Sequence, residues 1–282
     1  MKKRIYIVFL LCLCMSVIGW YGYEKNYSAE TSALLAPIVS AKGAILIDAA
    51  DGSVIYEKNA DQKLYPASTT KIMTALIALE VMEEIDADFE STIVVPKEAA
   101  GIEGSSLYLK AGEKVSVEEL LYGMMLQSGN DAATAIAICM GGNVENFVKL
   151  MNEKADELGC RNTHFVNSSG LYDENHYTTA RDLAIIACEA MKNTDFRKVV
   201  AAPDWAGEDS GRKITNKNKT IHQYDGATGI KIGYTRASGR TLVASAKRGN
   251  KELIAVMLSA PDWFKDGYAL MDYGFMREES KK

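Results

Sequence analysis

Ser68 and Lys71 stand three residues apart at the head of an apolar, helix-forming stretch over residues 72–80. On a helix that spacing puts both side chains on one face, about one turn apart. A serine hydroxyl is a poor nucleophile until a neighbour accepts its proton. A lysine serves as that neighbour only when burial or nearby positive charge lowers its pKa. The helix N-terminus adds backbone N–H groups and a partial positive charge beside the reacting oxygen. Alone the pair is weak, because an isolated S-x-x-K is more often an N-cap serine followed by a surface lysine.

Two further groupings could share a cleft with it. Ser128-Gly129-Asn130 falls where one helical pattern stops and another starts. A turn held by its glycine can present a hydroxyl relay and an amide that both donates and accepts. The plain alternative is a glycine C-cap followed by an Asn N-cap. Gly229-Ile230-Lys231-Ile232-Gly233-Tyr234-Thr235 reads as a late strand. Its lysine suits a substrate carboxylate, and Gly233 lets a substrate backbone come close. The plain alternative is an edge-strand lysine that discourages aggregation.

The elements that must position these groups follow from patterning. Residues 43–48 and 53–57 read as strands joined at Asp51-Gly52, a hairpin signal. A helix from about Ser68 to Glu84 follows, then a short strand over 91–95. From about 98 to 200 the pattern is helical. Ser116 and Glu119 form a capping box there, and further helices are expected from Asp131, over 144–158 and over 180–192. Strand signals return at 213–216, 229–234, 241–247 and 252–259, and a last amphipathic helix starts near Pro261. Strands, a helical block and strands again predict an α+β fold, with both chain ends in one antiparallel sheet and the helical block inserted against it.

Composition bounds the function. The 282 residues are 48% hydrophobic and 24% charged with a net charge of -5, so no basic footprint points to nucleic acid. His164, His176 and His222 are dispersed and form no metal-ligand pattern, and no cofactor is indicated. Cys12 and Cys14 lie in an apolar run; Cys139, Cys160 and Cys188 read as buried thiols more readily than as a disulfide. Lys2-Lys3-Arg4 followed by an uncharged run over 5–23 describes a secretory signal or an N-terminal membrane anchor. No clean cleavage site follows, so an anchor is favoured, with residues 24–42 as tether, 43–277 as catalytic domain outside the cytoplasm, and 278–282 as a tail.

Taken in order, S-x-x-K, S-x-N about sixty residues on and K-x-G about a hundred further match the penicillin-recognising serine acyl-transferases. The surroundings of these motifs, with Asn167-Ser168-Ser169-Gly170-Leu171 and Ser245-Ala246, resemble serine-type D-alanyl-D-alanine carboxypeptidases, the low-molecular-mass penicillin-binding proteins, over residues 40–275. The resemblance implies a DD-peptidase/β-lactamase-like fold, peptidoglycan stem peptides as substrates and β-lactams as acylating inhibitors. It implies Ser68 as nucleophile, Lys71 as its base and Ser128 as proton relay to the leaving D-alanine. Asn130 and Lys231 would hold the substrate, Gly233 would give it room, and the Ser68 and Tyr234 N–H groups would form the oxyanion hole.

Ile232 departs from that pattern, which has Thr or Ser between Lys and Gly. Losing a hydrogen bond to a charged group costs about 1.5–3 kcal/mol, roughly 10- to 150-fold. Thr228-Gly229 imitates the missing pair but lacks its lysine, and Thr235 is a candidate substitute. A weakened or re-tuned enzyme is expected, with a catalytically silent peptidoglycan binder as the alternative. No E-x-x-L-N element provides a β-lactamase's deacylating glutamate, and a glutaminase of related fold matches the flanking residues worse. Many relatives carry a β-rich domain and an amphipathic anchor after the catalytic domain; here attachment is expected to fall to the N-terminal segment.

Overall fold

The computed structural model describes residues 35–207 and 210–279. The apolar run over 5–23 and most of the tether lie outside them. Among the described residues no helix is long and apolar enough to cross a membrane.

In chain order the elements are β1 (Gly43–Asp48), β2 (Val54–Lys58), α1 (Lys71–Glu84), β3 (Thr92–Val94), β4 (Lys114–Ser116), α2 (Val117–Tyr122) and α3 (Asn130–Gly141). Then come α4 (Val144–Glu157), α5 (Ala180–Ala190), α6 (Thr194–Ala201), β5 (Asp204–Ala206), β6 (Lys213–Thr215) and α7 (Lys219–Gln223). The chain closes with β7 (Ala227–Thr235), β8 (Gly239–Arg248), β9 (Lys251–Leu258) and α8 (Trp263–Glu279).

One antiparallel sheet, ordered β2-β1-β9-β8-β7, joins the two ends of the chain as expected. The Asp51-Gly52 turn forms the β1–β2 hairpin, with Gly52 at φ +73° and the Ser53 N–H donating to the Asp51 carboxylate at 2.9 Å. Strand alternation gives the sheet two apolar faces. Ile45, Val243, Ile254 and Val256 pack towards the helices; Leu46, Leu242, Ala255 and Met257 pack under α8 with Leu270 and Met271. Helix α1 is apolar on nearly every side, so it runs through the middle of the molecule, buried from Lys71 to Leu79. Its central position makes its first turn a fixed point for the rest of the site.

Some expectations shift. The strand at 213–216 does not join the main sheet; β6 pairs with β5 in a separate hairpin. Helix α6 was not foreseen, and α5 ends at Ala190 rather than Lys192. The Ser116 capping box is present, its hydroxyl accepting from the Glu119 N–H at 3.1 Å. The three described cysteines are free thiols; Cys160 is buried, but Cys139 is exposed and Cys188 only half-buried, against the expectation of burial.

Candidate active site

A short 3-10 turn, Ala67–Thr70, delivers Ser68 to the start of α1. The turn is stitched down by hydroxyls: Thr69 Oγ1 donates to the Pro66 carbonyl at 2.7 Å, and Thr241 Oγ1 of β8 donates to the same oxygen at 2.9 Å. Ala67 adopts φ +50°, a costly conformation for a residue with a Cβ. Its surroundings enforce it. Ala67, Thr69, Thr70 and Lys71 are all buried, and Ser68 alone in this stretch reaches towards solvent.

Lys71 is fully buried, and its Nζ lies 3.0 Å from Ser68 Oγ, 2.7 Å from Asn130 Oδ1 and 2.6 Å from the Ser169 carbonyl. Burial pushes its pKa well down, the Lys231 charge pushes the same way, Asp131 opposes, and Lys217 adds a smaller push downwards. A neutral amine has two N–H donors and one lone pair. An amide oxygen and a peptide carbonyl can only accept, so they take the two donors. The lone pair is left for the Ser68 hydroxyl proton.

The second grouping is built by an unusual helix end. After α2 the chain widens into a π-helical turn, Gly123–Gln127, which ends at Ser128 in the left-handed conformation, φ +67°. Asn130 then opens α3, its N–H donating to the Ser105 carbonyl at 2.7 Å and its Nδ2 to the Glu103 carbonyl at 2.7 Å. With Nδ2 held there, Oδ1 must face Lys71. Asp131 pins the same loop: its carboxylate accepts from Ser106 Oγ at 2.6 Å, Leu107 N at 3.0 Å and Leu109 N at 3.1 Å. The Ser128 side chain is buried and bonds to no described residue.

Strand β7 supplies the third side. Lys231 and Gly233 pair with Val243 and Thr241, on the helix-facing side of the sheet. Lys231 is 1% exposed, and burial together with the Lys217 charge pushes it down to about 7. A Cβ on Gly233 would stand 2.7 Å from the Ser68 amide nitrogen and 2.5 Å from Thr241 Oγ1. The nucleophile's amide therefore lies against this strand. Ile232 pairs with Leu242 and packs on the α8 side with that apolar cluster, while Tyr234 is exposed at the rim. Neither candidate hydroxyl stands in for the one missing at residue 232. Thr235 Oγ1 is engaged with Ser238 at 2.8 Å in the β7–β8 turn, and Thr228 Oγ1 donates to the Glu252 carboxylate at 3.0 Å while accepting from the Ser245 hydroxyl at 2.8 Å.

Three contributors were not singled out from sequence as site residues. The loop at Asn167–Gly170 (167–170) turns its Ser169 carbonyl onto Lys71, shaped by Asn167 Oδ1, which accepts from the Gly170 N–H at 2.7 Å. His176 Nδ1 accepts from the Val166 N–H, so its Nε2–H donates to Thr70 Oγ1 at 2.8 Å; burial holds this ring at about 4 and neutral. Lys217, an exposed residue, donates to the Gln127 carbonyl at 3.0 Å beside Ser128. Its flanking asparagines were the only sequence signal: Asn216 Oδ1 accepts from the Asn218 N–H and shapes the turn that carries it.

A family model described as D-alanyl-D-alanine carboxypeptidase matches residues 30–262. The chain is 38% identical over 261 residues to D-alanyl-D-alanine carboxypeptidase DacF of Bacillus subtilis, covering 92% of this chain and 66% of that one. It is 34% identical over 269 residues to a D-alanyl-D-alanine carboxypeptidase of Streptomyces sp. (strain K15), covering 88% and 91%. It thus spans just under two thirds of the first and about nine tenths of the second. A mutant Streptomyces K15 DD-transpeptidase superposes with a TM-score of 0.79 at 33% identity, over 85% of this chain and 99% of that one. Escherichia coli penicillin binding protein 6B gives 0.80 at 27% identity, over 86% and 79%.

Proposed function

From the premise that the chain belongs to the D-alanyl-D-alanine carboxypeptidase family, we propose that it removes the terminal D-alanine from peptidoglycan stem peptides through an acyl-enzyme on Ser68. The observation that carries this reading is Lys71: buried, depressed in pKa and left with one lone pair facing the Ser68 hydroxyl.

Ser68 Oγ attacks the carbonyl carbon of the penultimate D-alanine while its proton passes to Lys71 Nζ. The oxyanion sits between the Ser68 and Tyr234 N–H groups at the head of α1. As the C–N bond breaks, the proton reaches the leaving amine through Ser128 Oγ, whose hydrogen-bonding capacity is unspent. Water then attacks the ester, giving its proton to Lys71; as the bond from Ser68 Oγ to the acyl carbon breaks, Lys71 returns that proton to Oγ and the acid leaves. Asn130 holds the substrate amide and Lys71 together. Lys231 and Lys217 hold the terminal carboxylate, a role that Ile232 leaves without a hydroxyl. The activity falls as pH drops, because protonation of Lys71 consumes its lone pair. We place the reaction in the cell envelope, with the N-terminal segment as signal or membrane anchor. β-Lactams acylate the same serine.

The test is intact-protein mass spectrometry after incubation with benzylpenicillin, with Ser68→Ala as control, followed by assay of D-alanine release. The expected result is a one-to-one adduct on the wild type alone and measurable release. A peptidoglycan binder without turnover is the second reading, favoured by Ile232; an adduct that forms only in Ile232→Thr would establish it. Fast nitrocefin hydrolysis would instead make the protein a β-lactamase.

A further inference from the structure

At the end of the sheet where β7 stops and β8 begins, a groove of about 580 Å³ runs from Tyr234 to the start of β1. Tyr234, Arg240, Trp263, Ser259 and Lys42 line it, and no carboxylate does among the described residues. Arg240 is fixed in place: its Nη1 donates to the Pro261 carbonyl at 2.7 Å, and its guanidinium lies 5.9 Å from the centre of the Trp263 ring. One N–H is thus spent and the others are not. Lys42 is exposed, with its backbone N–H tied to β9 at the Leu258 carbonyl. Neither cation has an ion-pair partner among the described residues. Asp266, behind the wall, is committed to Ser40 Oγ and the Ser40 and Ala41 N–H groups. In a chain of net charge -5, two such cations lining one groove favour an anion there.

The direction of the substrate brings an anion there. If the proposed reaction is right, the terminal carboxylate lies towards Lys231 and Lys217, and the scissile carbonyl lies where Gly233 meets the Ser68 amide. The acyl portion must then leave the opposite way along the open edge of β7, past Tyr234. An extended peptide advances about 3.3 Å per residue, so roughly two residues carry it past Thr235 to the end of the sheet, where it turns onto the α8 face, on which strand alternation puts Tyr234, Arg240 and Lys42. We propose that the groove is a specificity subsite for a free carboxylate on the stem peptide, two or three residues before the scissile bond, recognised by Arg240 and Lys42. This rests on the carboxypeptidase reading.

The test compares two peptides ending in Lys(Nε-acetyl)-D-Ala-D-Ala. Both carry an N-terminal L-Ala and a γ-linked D-Glu; in one the Glu α-carboxyl is free, and in the other it is amidated. For wild type, kcat/KM should favour the acid about fivefold, chiefly through KM, and less so in high salt. In Lys42→Gln/Arg240→Gln the ratio should fall to about one. A wild-type ratio of one, or a ratio the double variant does not change, overturns the subsite. So does loss of binding to anionic lipid vesicles in the double variant with the peptide ratio intact, which would give the groove to a membrane surface. Should wild type cleave neither peptide, the carboxypeptidase reading fails by itself. The ratio of peptide Kd values on Ser68→Ala protein, read by NMR titration, then decides the subsite on the same criterion.

Discussion

Gly233→Ala is a one-methyl change that should nearly silence the site. The added Cβ would lie 2.7 Å from the Ser68 amide nitrogen, 2.5 Å from Thr241 Oγ1 and 3.1 Å from the Ala67 Cβ, where ordinary contacts begin near 3.4 Å. Strand and nucleophile turn must separate by about 0.7 Å to free the amide alone. Thr241 cannot simply rotate away, since its hydroxyl holds the Pro66 carbonyl at 2.9 Å. Overpacking of this kind costs about 1–3 kcal/mol in stability. The larger loss is kinetic, because the Ser68 and Tyr234 N–H groups stand on the two pieces being pushed apart. Misplacement approaching 1 Å, or loss of one oxyanion donor, costs on the order of 100-fold. Acylation by a fluorescent penicillin gives the rate, and thermal melting confirms that the variant is folded. Adding Thr241→Ala removes one clash and leaves the amide clash, so it should restore part of the stability and little of the rate. A folded Gly233→Ala protein that acylates at the wild-type rate would refute the oxyanion geometry.

Ile232→Thr should raise kcat/KM for D-Ala-D-Ala peptides by about 10-fold or more. It should also lose roughly 1 kcal/mol of stability from the α8-side apolar cluster. An unchanged rate would mean that residue 232 does not reach the substrate carboxylate. Lys231 gives a stability signature. Its folded pKa is about 7 against the ordinary 10.5, so between these values the unfolded chain holds a proton that the folded one does not, and stability rises with pH. Relative to Lys231→Met the wild type should gain on the order of a few kcal/mol from pH 7 to pH 10, measured by chemical denaturation; parallel curves would contradict a buried, depressed lysine. Gly170→Ala would put a Cβ 1.8 Å from the Ala67 carbonyl oxygen at φ +83° and dislodge the Ser169 carbonyl from Lys71. It should abolish acylation even where circular dichroism shows a folded protein.

The residues legible in the sequence were those whose spacing is local and whose groupings recur in a fixed order along the chain. Ser68 lies in the 3-10 turn that runs straight into α1 at Lys71, so three residues of separation fix their relation, and the Ser116–Glu119 cap is local in the same way. The sheet was legible because alternation at both ends demanded a common partner. What stayed hidden depends on distance or on the backbone. The Ser169 contact is made by a carbonyl, which every residue possesses, so no spacing could single it out. Lys217 reaches the site only through the turn after the β5–β6 hairpin, and three-residue strands carry too little pattern to name their partner. Residue 232 was read as a missing hydroxyl; that its side chain also serves the α8 core depends on strand pairing, which composition does not encode.

The electrostatic design explains why a lysine can act as a base at all. Lys71, Lys217 and Lys231 share one neighbourhood, and the carboxylate among them, Asp131, is already engaged by the Ser106 hydroxyl and the Leu107, Leu109 and Ala132 N–H groups. Its pull on Lys71 is outweighed by burial and by the Lys231 charge, which together hold the amine's pKa well below the ordinary lysine value. A substrate carboxylate entering beside Lys231 and Lys217 would reverse part of that repulsion and raise the proton affinity of Lys71 as it binds. In the proposed reaction Lys71 would thus become a stronger base as the substrate arrives, while its contacts with Asn130 Oδ1 and the Ser169 carbonyl keep it aligned on Ser68. Replacing Asp131 with a residue unable to hold the loop would release Asn130 first and the alignment of Lys71 with it, well before any effect on net charge.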